Sequence, residues 1–280
     1  MAFDMISSTN LANWIPTVWS KEVLADVENS LVTGALFDRS YEDLVRSGGD
    51  TIVVPHLAEI SANIVNTAVD VTLYDAIQNV TNIALDFKYD IAIEVSDIEQ
   101  LQTNPKYFSK VTSKLAYGIG KQIDVNCNVK FRDFNNQVGT VNTALTEDVL
   151  IDAYEKLNEA NAPYSDRAWV FDPASITDLM KLDYFVRMDY VSGSVSEQGF
   201  VGRSILGSPV YISTNLDTYA GGPHAAGYFQ RETVALVMQM QPKFEVARIP
   251  LRHADAIIGL AVWGIQEMRG TFGVTINTRS

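Results

Sequence analysis

The chain has 280 residues, and its 34 acidic against 21 basic side chains give a net charge of −13. That balance excludes tight binding to nucleic-acid phosphates, which depends on Lys and Arg releasing counterions, and it disfavours docking on anionic membrane. An apolar content of 47% with 20% charged residues excludes a disordered chain, and the length suits one large domain or two modest lobes.

Residues 10–47 read as an arm. Trp14 and Ile15 precede the helix-stopping Pro16, and then Trp19, Val23, Val27 and Leu31 recur every four residues, with Lys21, Glu22, Asp26 and Glu28 on the other face. Such a short, one-sided helix must lean on something else. Ser47-Gly48-Gly49-Asp50 is a turn signal. Thr51 to Val54 is β-branched and strand-like, and Pro55 marks a strand edge or end. From Ala58 to Asn82 neither period dominates, whereas Ile83 to Val95 alternates and predicts a second strand. Two strands joined by about 25 weakly patterned residues predict a long hairpin reaching away from the body, because structureless loops of that length are uncommon inside compact domains. Such a loop is expected to rest on a neighbouring subunit.

Asn104 as N-cap and Pro105 at the first helical position open a long helix. Val111, Leu115, Ile119, Ile123, Cys127 and Phe131 repeat at i+4, with Phe108 and Phe134 at the ends. Carried to Phe134, this helix would span about 45 Å. Gly118 and Gly120 each cost it roughly 1 kcal/mol against Ala, which points to packing or bending there. A second helix is predicted from Thr146, with Glu147 and Asp148 at its positive end and Asn161-Ala-Pro163 stopping it. Ala168 to Phe171 reads as a buried strand, Pro173 to Leu182 as a short helix and Pro209 to Ser213 as a strand. Strand-like runs also fill 225–240, 244–251 and 255–277, the last interrupted by Gly264 and Gly270. The order of elements is that of an α+β protein.

The search for chemistry mostly fails. Gly202 to Ser208 has the glycine spacing of a phosphate loop but no lysine, and Pro209 follows at once, so no helix N-terminus meets an anion. Gly118-Ile-Gly120-Lys121 falls inside the long helix. His56, His224 and His253 include no pair at the i, i+4 spacing of helical zinc ligands. The single cysteine, Cys127, excludes an intramolecular disulfide. With a histidine as base it would suit a soluble cysteine hydrolase, but it continues an apolar helical stripe, where packing is the simpler role. Asn79-Val-Thr81 matches a glycosylation acceptor, yet Met1 to Ser8 shows no secretory pattern. The longest apolar run, Ala256 to Ile265, is about half the ~20 residues of a membrane helix. No catalytic residue, metal ligand, cofactor-binding residue or cofactor is assigned, and the sequence reads as that of a non-enzyme.

Several stretches, in order, resemble the major capsid proteins of tailed bacteriophages. Ile15-Pro-Thr-Val-Trp-Ser-Lys-Glu-Val-Leu24 and Asn29-Ser-Leu-Val-Thr-Gly-Ala-Leu36 resemble their N-terminal arm, and Gly48-Gly-Asp-Thr-Ile-Val-Val-Pro55 the entry to their extended loop. Ala153 to Pro163 and Arg167-Ala-Trp-Val-Phe-Asp-Pro173 are similar to the first helix and strand of their axial domain. Ile205-Leu-Gly-Ser-Pro-Val-Tyr-Ile-Ser-Thr-Asn-Leu216 is similar to the return strand.

The resemblance covers nearly the whole chain and implies the Hong Kong 97-like fold. Its parts would be an N-terminal arm (1–47), an extended β-hairpin loop (48–90) and a peripheral domain (91–145) with a spine helix at 104–135. An axial domain (146–242) and return strands of the peripheral domain (243–280) would complete it. The implied function is that of a coat subunit forming the hexamers and pentamers of an icosahedral shell around double-stranded DNA. A lining of net negative charge is compatible with DNA that must slide in and leave. Within the same fold, the alternative is the shell of an encapsulin-type nanocompartment. The implied partners are further copies of the chain, a portal protein at one vertex and packaged DNA bound without sequence specificity, with the presence or absence of a cement protein left open, and no membrane. The arm begins near Ile15, leaving no room for the N-terminal scaffolding extension of some members, so a separate scaffolding protein is expected. The implied location is the virion, after assembly in the host cytoplasm. Some members join a loop lysine to a neighbour's asparagine. Here no Lys or Arg lies between Ser47 and Phe87, which predicts a shell without such cross-links.

Overall fold

The i+4 stripe ending at Phe131 brings Ile119, Cys127 and Phe131 into the main hydrophobic core. The computed structural model describes residues 32–45, 49–57, 78–98, 107–182, 204–218 and 222–279. The arm helix predicted around Trp19 to Leu31, the tip of the extended loop and the segment that carries Asn104 and Pro105 lie outside them. Helix α1 runs Tyr107–Val129, about 35 Å at 1.5 Å per residue, and tightens into a 3-10 turn at Lys130–Asp133. It is therefore shorter at its C-terminal end than the predicted 104–135. The reason is aromatic packing: a 3-10 turn eclipses positions i and i+3. Phe131 and Phe134 thereby meet Phe229 together, at ring-centroid distances of 5.2 and 6.2 Å. Along the stripe, Leu115, Ile119, Cys127 and Phe131 are all buried.

The hairpin consists of β1 (Thr51–Leu57) and β2 (Gln78–Ala84), antiparallel, with Thr51 opposite Ala84 and Leu57 opposite Gln78. The alternating run Ile83 to Val95 is not one strand. It breaks at Leu85-Asp86, where the buried Leu85 donates its N–H to Asp50 O at 2.9 Å, and resumes as β3 (Phe87–Ser96) in a different sheet. Sequence alternation continues through the break because both strands bury one face; it does not record a change of partner.

Two sheets complete the body. In chain order the remaining strands are β4 (Asn136–Val138), β5 (Arg167–Phe171), β6 (Ser204–Ile205), β7 (Ser208–Ile212), β8 (Ala225–Gln230), β9 (Val234–Ile249), β10 (Ala254–Glu267) and β11 (Gly273–Asn277). A three-stranded antiparallel sheet, β3-β10-β9, lies against α1. A six-stranded mixed sheet, β4-β11-β8-β5-β7-β6, carries helices α2 (Glu147–Glu159) and α3 (Pro173–Leu179). Residues 243–280 are therefore not one set of return strands: β9 and β10 join β3, while β11 pairs with β8 and β4 in the six-stranded sheet. Nor does Gly264 interrupt β10. A Cβ there would lie 2.4 Å from Ala84 O, so the glycine lets β10 pass close under the end of β2. Gly118 plays a similar part in α1, where a Cβ would press on Ile91 at 3.0 Å.

Candidate functional site

Surfaces, not a cleft, carry what the chain can do, and the hairpin is the most distinctive of them. Its two faces differ. Ile52 and Ile83, directly opposite one another, are buried at the root with Val45, Leu85, Ala235 and Val237. On the other face Val53 is 59% exposed, Val80 is 53% exposed, and Val80 pairs with the exposed Pro55. The root is held by the Leu85–Asp50 bond and by Gln239 Nε2, which donates to Gly49 O at 2.8 Å. Among the described residues, the β1–β2 ladder forms a sheet of its own.

The arm enters the body at a buried polar node. Asp124, on α1 and 2% exposed, accepts the N–H groups of Val32 and Thr33 at 3.2 and 2.7 Å. Its second oxygen accepts Asn215 Nδ2 at 3.1 Å and Ser213 Oγ at 3.3 Å. Asn128, one turn on, accepts the Thr33 hydroxyl at 2.6 Å and donates to Asn215 O at 2.9 Å. One helix face thus joins the arm to the loop after β7. From there the arm pairs with the outer edge of β9: Asp38 N–H donates to Val234 O and Leu236 N–H to Asp38 O. Sequence patterning passed over this node, although polar residues at 124 and 128 beside an apolar stripe were its one visible sign.

A second feature missed in the sequence is Arg167. Buried at the start of β5, it donates to Ala162 O, Pro163 O and Asn158 Oδ1 at 2.6, 2.8 and 2.9 Å and lies over the Tyr164 ring at 4.6 Å. A guanidinium so placed satisfies carbonyls that follow the end of α2.

A groove of about 700 Å³ lies between the hairpin root and the end of the six-stranded sheet, lined by Tyr41, Val54, His56, Gln230, Glu232 and Arg269, among others. Burial, reinforced by the charges of Asp38 and Glu232, pushes the Tyr41 hydroxyl above its ordinary range.

The residues weighed for chemistry are not brought together as a site. Cys127 is fully buried, and burial, with the nearby Asp124 carboxylate, pushes its thiol well above the usual range, the opposite of what a thiolate nucleophile requires. His56 is exposed on β1, His253 is exposed in the left-handed region beyond β9, and His224 precedes β8. Among the described residues no group of three His, Cys, Asp or Glu side chains could hold a metal. Gly207 sits in the two-residue turn of the β6–β7 hairpin, where it and Leu206 have φ of 80° and 48°, so this glycine serves a turn with two left-handed residues. Among the described residues no helix is long and apolar enough to cross a membrane.

No protein-family model and no curated protein sequence matches the chain. Solved structures do. A chain from the structure of Mycobacterium phage Che8 superposes with a TM-score of 0.78 at 20% identity, covering 94% of this chain and 97% of its own. A chain from the capsid structure of the cyanophage P-SCSP1u gives 0.77 at 14% identity, over 96% and 94%. One from the capsid of the native GTA particle gives 0.71 at 8% identity, over 100% of both chains. The chain therefore has the α+β, Hong Kong 97-like fold seen in phage capsids.

Proposed function

We propose that this protein is the major capsid protein of a tailed bacteriophage, a structural subunit and not an enzyme. Copies of it would assemble into the hexamers and pentamers of an icosahedral shell around the double-stranded DNA genome. The observation that carries the reading is the coverage of the likeness: chains from phage and GTA particle structures superpose over 94–100% of this chain and 94–100% of their own.

The physical case runs parallel. A shell subunit needs elements that reach beyond its own core, and the β1–β2 hairpin exposes Val53, Pro55 and Val80 on one face while anchoring the other. In a shell, that apolar strip would lie on a neighbouring subunit. The net charge of −13 suits a container that holds DNA without gripping it. In this reading the extended loop is built on the β1–β2 hairpin and ends at the break before β3, short of residue 90, the peripheral domain is organised on α1, and the axial domain on the six-stranded sheet. A separate scaffolding protein would guide assembly in the host cytoplasm, and a portal protein would occupy one vertex.

Negative-stain microscopy of the expressed protein, alone and with the products of neighbouring genes, tests this. The expected result is icosahedral particles that contain DNA when recovered from infected cells. Particles filled with folded protein instead would assign the chain to a nanocompartment, and a monomer that never assembles would overturn both.

A further inference from the structure

Acidic residues make up 34 of the 280, yet from Gln100 to Ile123 the chain has none, and the same stretch holds four lysines. Three of them, Lys110, Lys114 and Lys121, fall within α1. At 3.6 residues per turn, their spacing places all three within about 40° of one another, on one face and along about 16 Å of the helix. Lys114 and Lys121 are exposed there. The opposite face carries the buried Leu115 and Ile119, the first packed on the three-stranded sheet, so the lysine row looks away from that sheet. Asp124 is the single acidic residue of α1. It is buried, with one oxygen engaged by the arm and the other by Ser213 and Asn215. The exposed side of α1 therefore carries positive charge and no carboxylate of its own.

Several basic side chains elsewhere are spent on carboxylates: Arg132 holds Asp217, Arg248 holds Asp97, Arg252 holds Glu94 and Arg279 holds Asp178. The chain as a whole is strongly negative, so a helix face bearing only lysines among its charges stands out as a seat for an anion. The residue type narrows the anion. An ammonium is a compact point charge without the planar fork of a guanidinium, and a row of them suits a string of phosphates better than one fixed carboxylate. A folded protein partner would need an apolar centre to dock on. Among the described side chains of α1 the exposed ones are Lys114, Ala116, Lys121 and Val129, and neither apolar residue stands in the lysine row; Tyr117, between the lysines, is half-buried.

The strength expected of such a contact fits the rest of the molecule. Three lysines neutralise about three phosphates, which gives a slope of about −2.7 in log affinity against log salt. That is weak for one subunit, in keeping with its net charge of −13. Repeated on every subunit of a closed shell, the same contact acts along the whole outer layer of a packaged duplex. The lining then repels DNA over most of its area and holds it at spaced positions.

We propose that the Lys110, Lys114 and Lys121 face of α1 lines the inside of the shell and bears on the phosphate backbone of the packaged DNA. This deepens the shell reading above and rests on it. Wild-type particles filled with DNA, fixed with formaldehyde and digested, should carry nucleotide adducts on the peptides of Lys114 and Lys121, and empty shells should carry none. Adducts on other lysines with none on these would overturn the proposal. Variants give a second measurement. Both lysines are exposed, so the K114E/K121E subunit should melt within about 2 °C of wild type and form empty shells at wild-type yield. Its ratio of filled to empty particles should fall, and the filled ones should release DNA at a lower temperature, whereas K114R/K121R, which keeps the charge, should match wild type. Normal packaging and retention by K114E/K121E would overturn the proposal. So would a K114E/K121E subunit that melts normally yet forms no empty shells, because the face would then belong to a protein partner. If wild-type particles from infected cells hold no DNA, the shell reading fails first, an outcome distinct from a defect confined to the variants.

Discussion

The carboxylate of Asp124 accepts the backbone N–H of Thr33 at 2.7 Å, across 91 residues of chain. Four groups from two separate segments converge on that buried carboxylate: two arm N–H groups, a serine hydroxyl and an asparagine amide. D124A would strand them together, and each buried donor without an acceptor costs about 1–3 kcal/mol. The expected loss is about 4 kcal/mol or more of subunit stability by urea denaturation, with T33A, which leaves the backbone bond in place, losing about 1 kcal/mol. Equal losses from the two variants would show that the node does not carry the arm.

The seam between α1 and the three-stranded sheet is tested at Leu115, which is buried with Ile257 against Ile91, Ile93 and Phe244. L115A should cost about 2–4 kcal/mol through the cavity it leaves. L115D places a carboxylate in that seam and should give insoluble protein and no shells. Soluble, assembling L115D protein would mean that this face of α1 is not a core.

Two carboxyls should shape the pH dependence of stability in opposite directions. Burial works against ionising Asp178, but hydrogen bonds from Arg279 and Lys181 outweigh it and hold the carboxyl below its ordinary range. A lowered value means stability that is present above the unfolded-state pKa, near 4, and is lost as pH falls through the folded value. D178N should therefore be less stable than wild type at pH 7, with the gap closing below about pH 4. Glu267 is the reverse case: burial, with Asp133 nearby, raises its carboxyl despite Lys130. Its contribution is present at low pH and lost as pH rises through the raised value, so E267Q should stabilise the subunit at pH 7, on the order of 0.5 kcal/mol after solvent screening. That advantage should vanish below about pH 4. Thermal melts from pH 2.5 to 7 would show both trends, and parallel curves for the two variants would contradict the assignment.

For the hairpin, the expected defect is in assembly and not in folding. V53D and V80D alter side chains already exposed in the subunit, so each should melt within about 2 °C of wild type. Placing a carboxylate in a strip that packs on a neighbour should block shell formation or leave shells that fall apart in mild urea. Normal shells from the double variant V53D/V80D would remove the strip from the interface.

Cross-linking is the last expectation. The stretch from Ser47 to Phe87 has no amine to attack an amide, and Lys88 lies on β3, opposite Val262, in the three-stranded sheet and not on the hairpin. Mature particles boiled in detergent with reductant should run as one monomer band. A ladder that survives both treatments would point to a lysine elsewhere.

Much of this chain was legible as pattern. The i+4 stripe of α1 is periodicity that any buried helix face must show. The same holds for the start of α2 behind Thr146 and for the stop at Asn161, whose φ of 56° is the left-handed conformation an asparagine tolerates. The ordered set of arm, loop and axial phrases pointed to the fold, and the absence of lysine between Ser47 and Phe87 is a property of composition alone. What tertiary structure decided were relations between distant segments. Ile83 to Val95 alternates whether it is one strand or two, and only strand pairing divides it at Leu85. Val274 and Ile276 alternate with Gly273, Thr275 and Asn277 equally well in either sheet, and β8 is what takes them from the sheet of β10. The candidate surface follows the same rule. Val53 is an ordinary apolar letter in the sequence; that it lies on an exposed strand face depends on which backbones lie beside it, and no local period encodes that.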